Sequence, residues 1–463
     1  MVFSSLTFLI FFLPLVLIAY FLSGKYKNVV LLIFSLVFYA WGEPKWIFVM
    51  LLTVSVNYLA GIMISRSSRR AVKKIWMLFG VVLGLGFLFY FKYCGFILDN
   101  LSNIFGFETS FVAPVLPIGI SFYTFQVLTY TIDVYRGKVD VQRNFFKLLL
   151  YVSFFPQLIA GPIVNYKDIA KELDHRRITG RDFYQGLMRF LIGFCKKILL
   201  ANTCGEVVTA IDEASSMSIA GAWLLAFTYA LQIYFDFSGY SDMAIGMGRM
   251  FGFHFLENFD HPYISRSVTE FWRRWHMSLG SFFREYVYIP LGGNRKGKLC
   301  QIRNIIVVWA LTGIWHGASW NFMFWGLYYA LLLIIEKLFM LKVSEKMPRV
   351  VTIPVTFFFV LIGWVLFYYT DFSEMVAHLS CMFGLSGATL CDSFAIYYFK
   401  RYIGFIALGV LACFDWSKLA DKLPKKPKKI LEIAKPIVIT PLFFIALFML
   451  VGQSYNPFLY FRF

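Results

Sequence analysis

The sequence predicts an all-α, polytopic membrane protein, and three observations carry that prediction. Of its 463 residues, 59% are hydrophobic and 20% aromatic, whereas only 15% are charged; soluble domains carry about 25% charged residues. Apolar runs long enough to cross a hydrocarbon core of about 30 Å, which takes about 20 residues of helix, recur along almost the whole length. The net charge of +18 is clustered, with 28 of the 44 Lys and Arg in residues 65–74 (five), 163–197 (eight), 266–303 (eight) and 417–435 (seven). Basic clusters beside apolar runs are what the positive-inside rule produces, so the charge is read as setting topology, and no nucleic-acid partner is expected.

In chain order, spans are expected over residues 2–22, 28–42, 46–64, 75–93, 145–163, 184–204, 219–238, 303–340 (as two), 350–369, 396–414 and 436–453. No basic residue precedes the first run, and Lys25 and Lys27 follow it. A cleaved signal has the opposite charge order, so a retained first helix starting outside is expected. Segments 111–132 and 240–256 are short or broken by Pro and Gly. Such segments are tolerated at membrane depth only where protein buries them or a wet cavity adjoins them, so they point to a path through the protein. His261 to Cys300 mixes seven Arg and Lys with Trp, Tyr and Phe and holds no apolar run of spanning length. It is expected along the interface, with His276 near the cytoplasmic boundary. Lys418 to Lys435, with Pro424 and Pro427, reads as a basic cytoplasmic loop before the last helix. One integral-membrane domain over residues 1–463 is expected, with a histidine-bearing core at about 111–340 and peripheral helices over 350–463. The seven cysteines (94, 195, 204, 300, 381, 391, 413) show no CxxC spacing and no pairing with His, so no metal or redox cofactor is expected.

Chemistry is concentrated in a few polar residues set in apolar sequence. His316 lies in Thr312-Gly-Ile-Trp-His316-Gly-Ala-Ser-Trp-Asn-Phe322, read as one helix with Ser319 and Asn321 following at i+3 and i+5. An imidazole at that depth is costly and is a functional-site hypothesis by default. A neutral ring there can take a proton from a hydroxyl as a general base, with Trp315 or the Asn321 amide orienting it or facing an oxyanion; a core histidine bonded to a neighbouring helix is the alternative. His276, in Phe271-Trp-Arg-Arg-Trp-His276-Met-Ser-Leu279, lies 40 residues upstream and must come from another element. With Trp275, Arg273 and Arg274 it would bind an anionic donor or approach His316; interfacial anchoring is the alternative. Tyr286-Val-Tyr-Ile-Pro-Leu-Gly-Gly-Asn294-Arg295-Lys-Gly297 offers glycines and cations to phosphates, or forms a positive-inside turn. In Tyr234-Phe-Asp-Phe-Ser-Gly-Tyr-Ser-Asp-Met-Ala-Ile-Gly246, Asp236 and Asp242 are expected to structure a helix break, with Asp242 capping the helix that follows.

These segments together resemble the membrane-bound O-acyltransferase (MBOAT) family, and within it the bacterial branch that O-acetylates alginate. The resemblance is carried by Trp275-His276-Met-Ser-Leu, Tyr288-Ile-Pro-Leu-Gly-Gly-Asn-Arg295, Leu311-Thr-Gly-Ile-Trp-His316-Gly-Ala-Ser-Trp, Phe155-Pro-Gln-Leu-Ile-Ala-Gly-Pro162 and Phe235-Asp-Phe-Ser-Gly-Tyr-Ser-Asp242. Met1-Val-Phe-Ser-Ser, Phe38-Tyr-Ala-Trp-Gly42 and Leu116-Pro-Ile-Gly-Ile-Ser-Phe-Tyr-Thr-Phe125 fit as well; Glu285 departs from the usual Asp.

The resemblance implies a ring of about 10–13 tilted transmembrane and re-entrant helices around a central funnel or tunnel. It places His316 as the catalytic histidine and His276 as the second histidine of the bacterial branch. It implies O-acetylation of an extracellular polysaccharide from a cytoplasmic thioester, acetyl-CoA, with no bound cofactor. The acetyl group would pass directly, or through an extracytoplasmic SGNH-type acetyltransferase with its own Ser-His-Asp site. The location implied is the bacterial plasma (inner) membrane. D-alanyl transfer to teichoic acid ranks second, and a non-enzymatic transporter or scaffold for polysaccharide export is the competing class.

Overall fold

A computed structural model describes residues 2–109, 111–159, 161–452 and 459. Every regular element among the described residues is helical, and the chain divides into two compact units. The first comprises residues 1–189 and 243–256, the second residues 190–242 and 257–463.

In the first unit a π-helical turn, Thr7–Phe12, leads into α1 (Leu13–Leu22), followed by α2 (Lys27–Gly42), α3 (Ile47–Arg66), α4 (Arg70–Lys92), α5 (Cys94–Phe105), α6 (Ile120–Tyr135), α7 (Phe145–Ser153), α8 (Phe155–Leu158) and α9 (Tyr166–Asp174). One polar pair at this depth joins two helices: the Thr131 hydroxyl on α6 donates to Asn57 Oδ1 on α3 at 2.7 Å. The span expected over 145–163 is broken after Ser153, with Pro156 in the first turn of α8, where its missing N–H costs nothing. Ala160, in the same motif, lies outside the described residues. The Pro- and Gly-broken segment 111–132 resolves into irregular chain to Pro117, a turn, and then α6. Gly119 makes the bend at φ +75°, and a Cβ there would lie 2.8 Å from the Leu158 carbonyl oxygen.

The chain enters the second unit within α10 (Gly180–Cys195) and passes a π-helical stretch, Lys196–Asn202, into α11 (Thr203–Asp212) and α12 (Ile219–Met250). α12 corrects an expectation: residues 219–238 and 240–256 were read as separate segments with a break at Asp236–Asp242, yet the helix runs unbroken for 32 residues. Both carboxylates have cationic partners on the preceding stretch, so neither has to cap a terminus. Asp242 lies 2.7 Å from Lys196 Nζ, and Asp236 lies 2.6 Å from Lys197 Nζ. Gly239 lets α12 approach α10 closely; a Cβ there would sit 2.7 Å from the Gly193 carbonyl oxygen.

The rest of the second unit is α13 (Val268–Arg274), α14 (Met277–Phe283), α15 (Lys298–His316), α16 (Trp320–Ile335), α17 (Leu341–Lys346), α18 (Arg349–Tyr368), α19 (Phe372–Met382), α20 (Ser393–Ala412), α21 (Trp416–Asp421) and α22 (Lys425–Gly452). The loop expected over Lys418–Lys435 is largely helix, because α22 starts at Lys425 and takes Pro427 into its first turn. Seven described helices are long and apolar enough to cross a membrane: α3, α4, α12, α16 with its extension to Met340, α18, α20 and residues 429–452 of α22. Their burial separates core from periphery, from 72% of the apolar window of α12 down to 11% in α22. α18 does not belong with the peripheral C-terminal helices, since Val360, Leu361, Trp364 and Phe367 are in the main hydrophobic core.

α15 and α16 meet almost backbone to backbone. A Cβ on Gly313 would collide with the Phe322 carbonyl, and one on Gly326 with that of Trp309. Small residues at such crossings allow the close van der Waals packing that holds helices together in lipid. Gly313→Ala is expected to destabilise the solubilised protein by about 1–3 kcal/mol, as overpacking does. Gly86→Ala, in α4 with open space beside it, is the control that should hold or raise the thermal midpoint.

Candidate active site

His316 is the last residue of α15, and the helix expected to run on through Asn321 stops there. Gly317 is extended, and α16 begins only at Trp320, so a loop separates Ser319 and Asn321 from the histidine's helix. The imidazole is half-buried and boxed by aromatic rings from three helices, with centroids 4.7 Å from Trp315, 5.0 Å from Trp325, 5.0 Å from Phe367 and 6.4 Å from Phe322. Gly317 is required beside this box because a Cβ would run into the Phe322 ring. Asn321 anchors the loop: its Nδ2 donates to the Tyr369 carbonyl at 2.6 Å, and its Oδ1 accepts from the Ser319 hydroxyl.

Trp315 links the two histidines, its ring lying 6.0 Å from that of His276 as well as against His316. His276 precedes α14 in the left-handed region, at φ +45°. It is 2% exposed, packed edge-on against Phe237 at 4.7 Å, and so is a core residue and not the interfacial anchor of the alternative reading. Its Nδ1 lies 3.1 Å from Asn258 Oδ1, an oxygen that also accepts from the Ser278 hydroxyl at 2.8 Å. That contact assigns the Nδ1–H tautomer, which leaves the Nε2 lone pair buried with no hydrogen-bond partner among the described residues. His276 lies on the short-helix stretch outside the seven spans, and burial pushes its imidazole down to about 3. The ring is neutral at ordinary pH, so it offers no charge to an anionic donor.

The other predicted residues divide. Trp275 is 4% exposed between Trp364, at 4.7 Å, and Phe271, at 5.6 Å, and so belongs to the packing beneath the site. Arg274 is engaged with Glu270 at 2.7 Å and Asp260 at 3.7 Å, while Arg273 is exposed. Asn294 and Arg295 are exposed on the turn before α15, at the opposite end of a 19-residue helix from His316. That is about 27 Å of rise, so they do not share a site with the imidazole. Among the described residues, Asp260, His261 and Asp415 form one group with ligand atoms within 4.8 Å of one another. Arg274 and Lys418, the latter 2.7 Å from Asp415, balance its carboxylates.

Trp325 and Phe367 were not singled out in sequence because they sit on other helices, nine and 51 residues beyond His316; only their aromatic character at spans signalled them. Asp236 was visible but its partner was not. Lys197 and Asp236 are 4% and 2% exposed, and Asp236 also accepts from the Leu459 amide at 2.8 Å. Removing one partner of such a pair leaves a buried charge and costs about 3–5 kcal/mol. Lys197→Met is therefore expected to cut the yield of folded protein sharply, and Lys197→Met with Asp236→Leu to recover most of it, read by size-exclusion profile and thermal midpoint.

Long apolar helices and a histidine boxed by tryptophan and phenylalanine define a multi-pass membrane protein with an aromatic-walled imidazole. The profile of MBOAT, the membrane-bound O-acyltransferase family, matches residues 5–371. Over the whole of both chains the sequence is 38% identical to the probable alginate O-acetylase AlgI of Pseudomonas putida. It is 35% identical to the peptidoglycan O-acetyltransferase of Helicobacter pylori, over 84% of this chain and 81% of that one. It is 28% identical to the teichoic acid D-alanyltransferase of Bacillus subtilis, over 54% of this chain and 68% of that one. The chain belongs to the membrane-bound O-acyltransferase family. It is an O-acyltransferase, which sets aside the non-enzymatic transporter and scaffold readings.

Proposed function

We propose that this protein moves an acetyl group from a cytoplasmic thioester, acetyl-CoA, to a hydroxyl on the outer side of a bacterial inner membrane, for O-acetylation of an extracellular polysaccharide. The observation that carries the reading is the aromatic box around His316, joined through Trp315 to a neutral His276. Apolar walls around the imidazole limit water, which suits a base facing an acyl donor that water would hydrolyse. His316 takes the proton of the acceptor hydroxyl as its oxygen attacks the thioester carbonyl carbon. The C–S bond then breaks, and the leaving thiolate recovers a proton from the imidazolium. His276, with Nδ1–H committed to Asn258, has its Nε2 lone pair available to orient a proton-bearing group. The acceptor is the polysaccharide itself or a serine of an extracytoplasmic SGNH-type partner that passes the acetyl group on. The relatives named for acetyl transfer cover more of the chain at higher identity than the D-alanyl one, which supports acetyl over D-alanyl.

The test compares the O-acetyl content of extracellular polysaccharide from cells carrying wild-type protein, His316→Ala or none, at matched membrane levels. Loss of general-base help is expected to cost about 10²–10⁴ in rate, so His316→Ala should match the deletion. Full acetylation by His316→Ala would overturn the assignment.

A further inference from the structure

Asn258 is fully buried, and its backbone is clamped to the turn that carries His276. The Met277 amide donates to the Asn258 carbonyl at 2.9 Å, and the Asp260 amide to the Arg274 carbonyl at 2.9 Å. From that fixed ground Asn258 Oδ1 gathers three contacts: the Ser278 amide at 3.3 Å, the Ser278 hydroxyl at 2.8 Å and His276 Nδ1 at 3.1 Å. A backbone N–H can only donate, so the atom that faces the Ser278 amide is the side-chain oxygen of Asn258. The orientation of the Asn258 amide is therefore set by the backbone and not by the imidazole, whose own roles are ambiguous. His276 must then present Nδ1–H to it. The Ser278 oxygen, whose proton goes to Asn258, lies 3.4 Å from Nδ1 and is a second acceptor for the same N–H. A neutral ring with its proton on Nδ1 has none on Nε2.

Three costs coincide at this point. His276 is one of two non-glycine residues at positive φ among the described residues, a conformation that L side chains seldom adopt. Its Nε2 is buried without a hydrogen-bond partner among them. So is Asn258 Nδ2, which the orientation of the amide turns away from the imidazole. Two apolar side chains would fill the same space without orphaning either nitrogen. What the arrangement preserves is a bare lone pair on a ring held in one orientation, and backbone strain of this kind gathers where a site is prepared for a ligand.

A bare Nε2 accepts and cannot donate, so it attracts a hydroxyl hydrogen and repels a carbonyl oxygen. We propose that Asn258 is a positioning residue of this enzyme that locks His276 as a hydrogen-bond acceptor, and that the group His276 meets is the hydroxyl of the acyl acceptor and not the carbonyl of the thioester. The identity of those two groups rests on the acyl-transfer reading; the lock itself does not.

Full-length protein with isotopically labelled histidine nitrogens, in nanodiscs, reports the tautomer by solid-state NMR, the His276 signals being identified by their loss in His276→Gln. Wild type is expected to show a single form, protonated at Nδ1 and bare at Nε2. Saturation with a ketone analogue of acetyl-CoA, which keeps the carbonyl and lacks the sulfur, should leave the Nε2 signal in place. Asn258→Ala should show both tautomers and lower O-acetylation of extracellular polysaccharide about tenfold or more at matched levels of folded membrane protein, as loss of a histidine's orienting partner does. Asn258→Asp, which keeps an acceptor oxygen against Nδ1, should hold the wild-type tautomer and recover most of the acetylation. A merely structural role would leave the tautomer unmoved in every variant. Protonation at Nε2 in wild type overturns the lock, whether or not Asn258→Ala folds. A shift of the Nε2 signal on adding the ketone gives the carbonyl to His276 and overturns the assignment to the hydroxyl. Wild-type acetylation per folded molecule in Asn258→Ala overturns the positioning role. Full acetylation by His316→Ala would overturn the transfer reading while leaving the tautomer result intact.

Discussion

The site depends on two helices touching where neither has a side chain. In lipid the hydrophobic effect does not drive helices together, and association rests on dispersion contact and on hydrogen bonds that hydrocarbon cannot supply. Gly313 and Gly326 bring α15 and α16 to backbone contact, and Gly317 leaves room for the Phe322 ring. That contact puts Trp325 from α16 and Trp315 from α15 on either side of one imidazole, with Phe367 of α18 against it. Bulk at either helical glycine would push apart the walls that define the box.

The second constraint is the cost of polar groups away from water. It is met here by matching, in which Lys197 with Asp236, Lys196 with Asp242, and Thr131 with Asn57 satisfy each other at depth. His276 is one of several buried side chains left incomplete, half satisfied through Asn258 and with one nitrogen unengaged. A buried polar atom without a partner is where a substrate group has something to gain.

Much of this was legible in the sequence. Hydropathy and charge clustering located nearly every long helix, because a bilayer imposes a length and a charge bias that single-sequence patterns record directly. The two histidines stood out for the same reason, as ionisable groups where such groups are costly. The misreadings fell where partners are distant. Asp236 and Asp242 looked like a helix break because their lysines lie some forty residues upstream. Residues 425–435 looked like a loop because Pro424 and Pro427 break helices and the run of like-charged lysines repels itself, although the first turn of α22 accepts Pro427.

By itself the sequence determined the class of fold and the polar residues worth watching, since each follows from composition and local periodicity. The tertiary structure decided which of them meet. His276 and His316 are 40 residues apart in the chain yet flank one tryptophan, whereas Arg295 and His316 sit on the two ends of one rigid helix and do not meet. Asp212 and Tyr369, 157 residues apart, share a hydrogen bond. Helix packing sets such meetings, and it depends on the shapes of whole surfaces that no local pattern encodes.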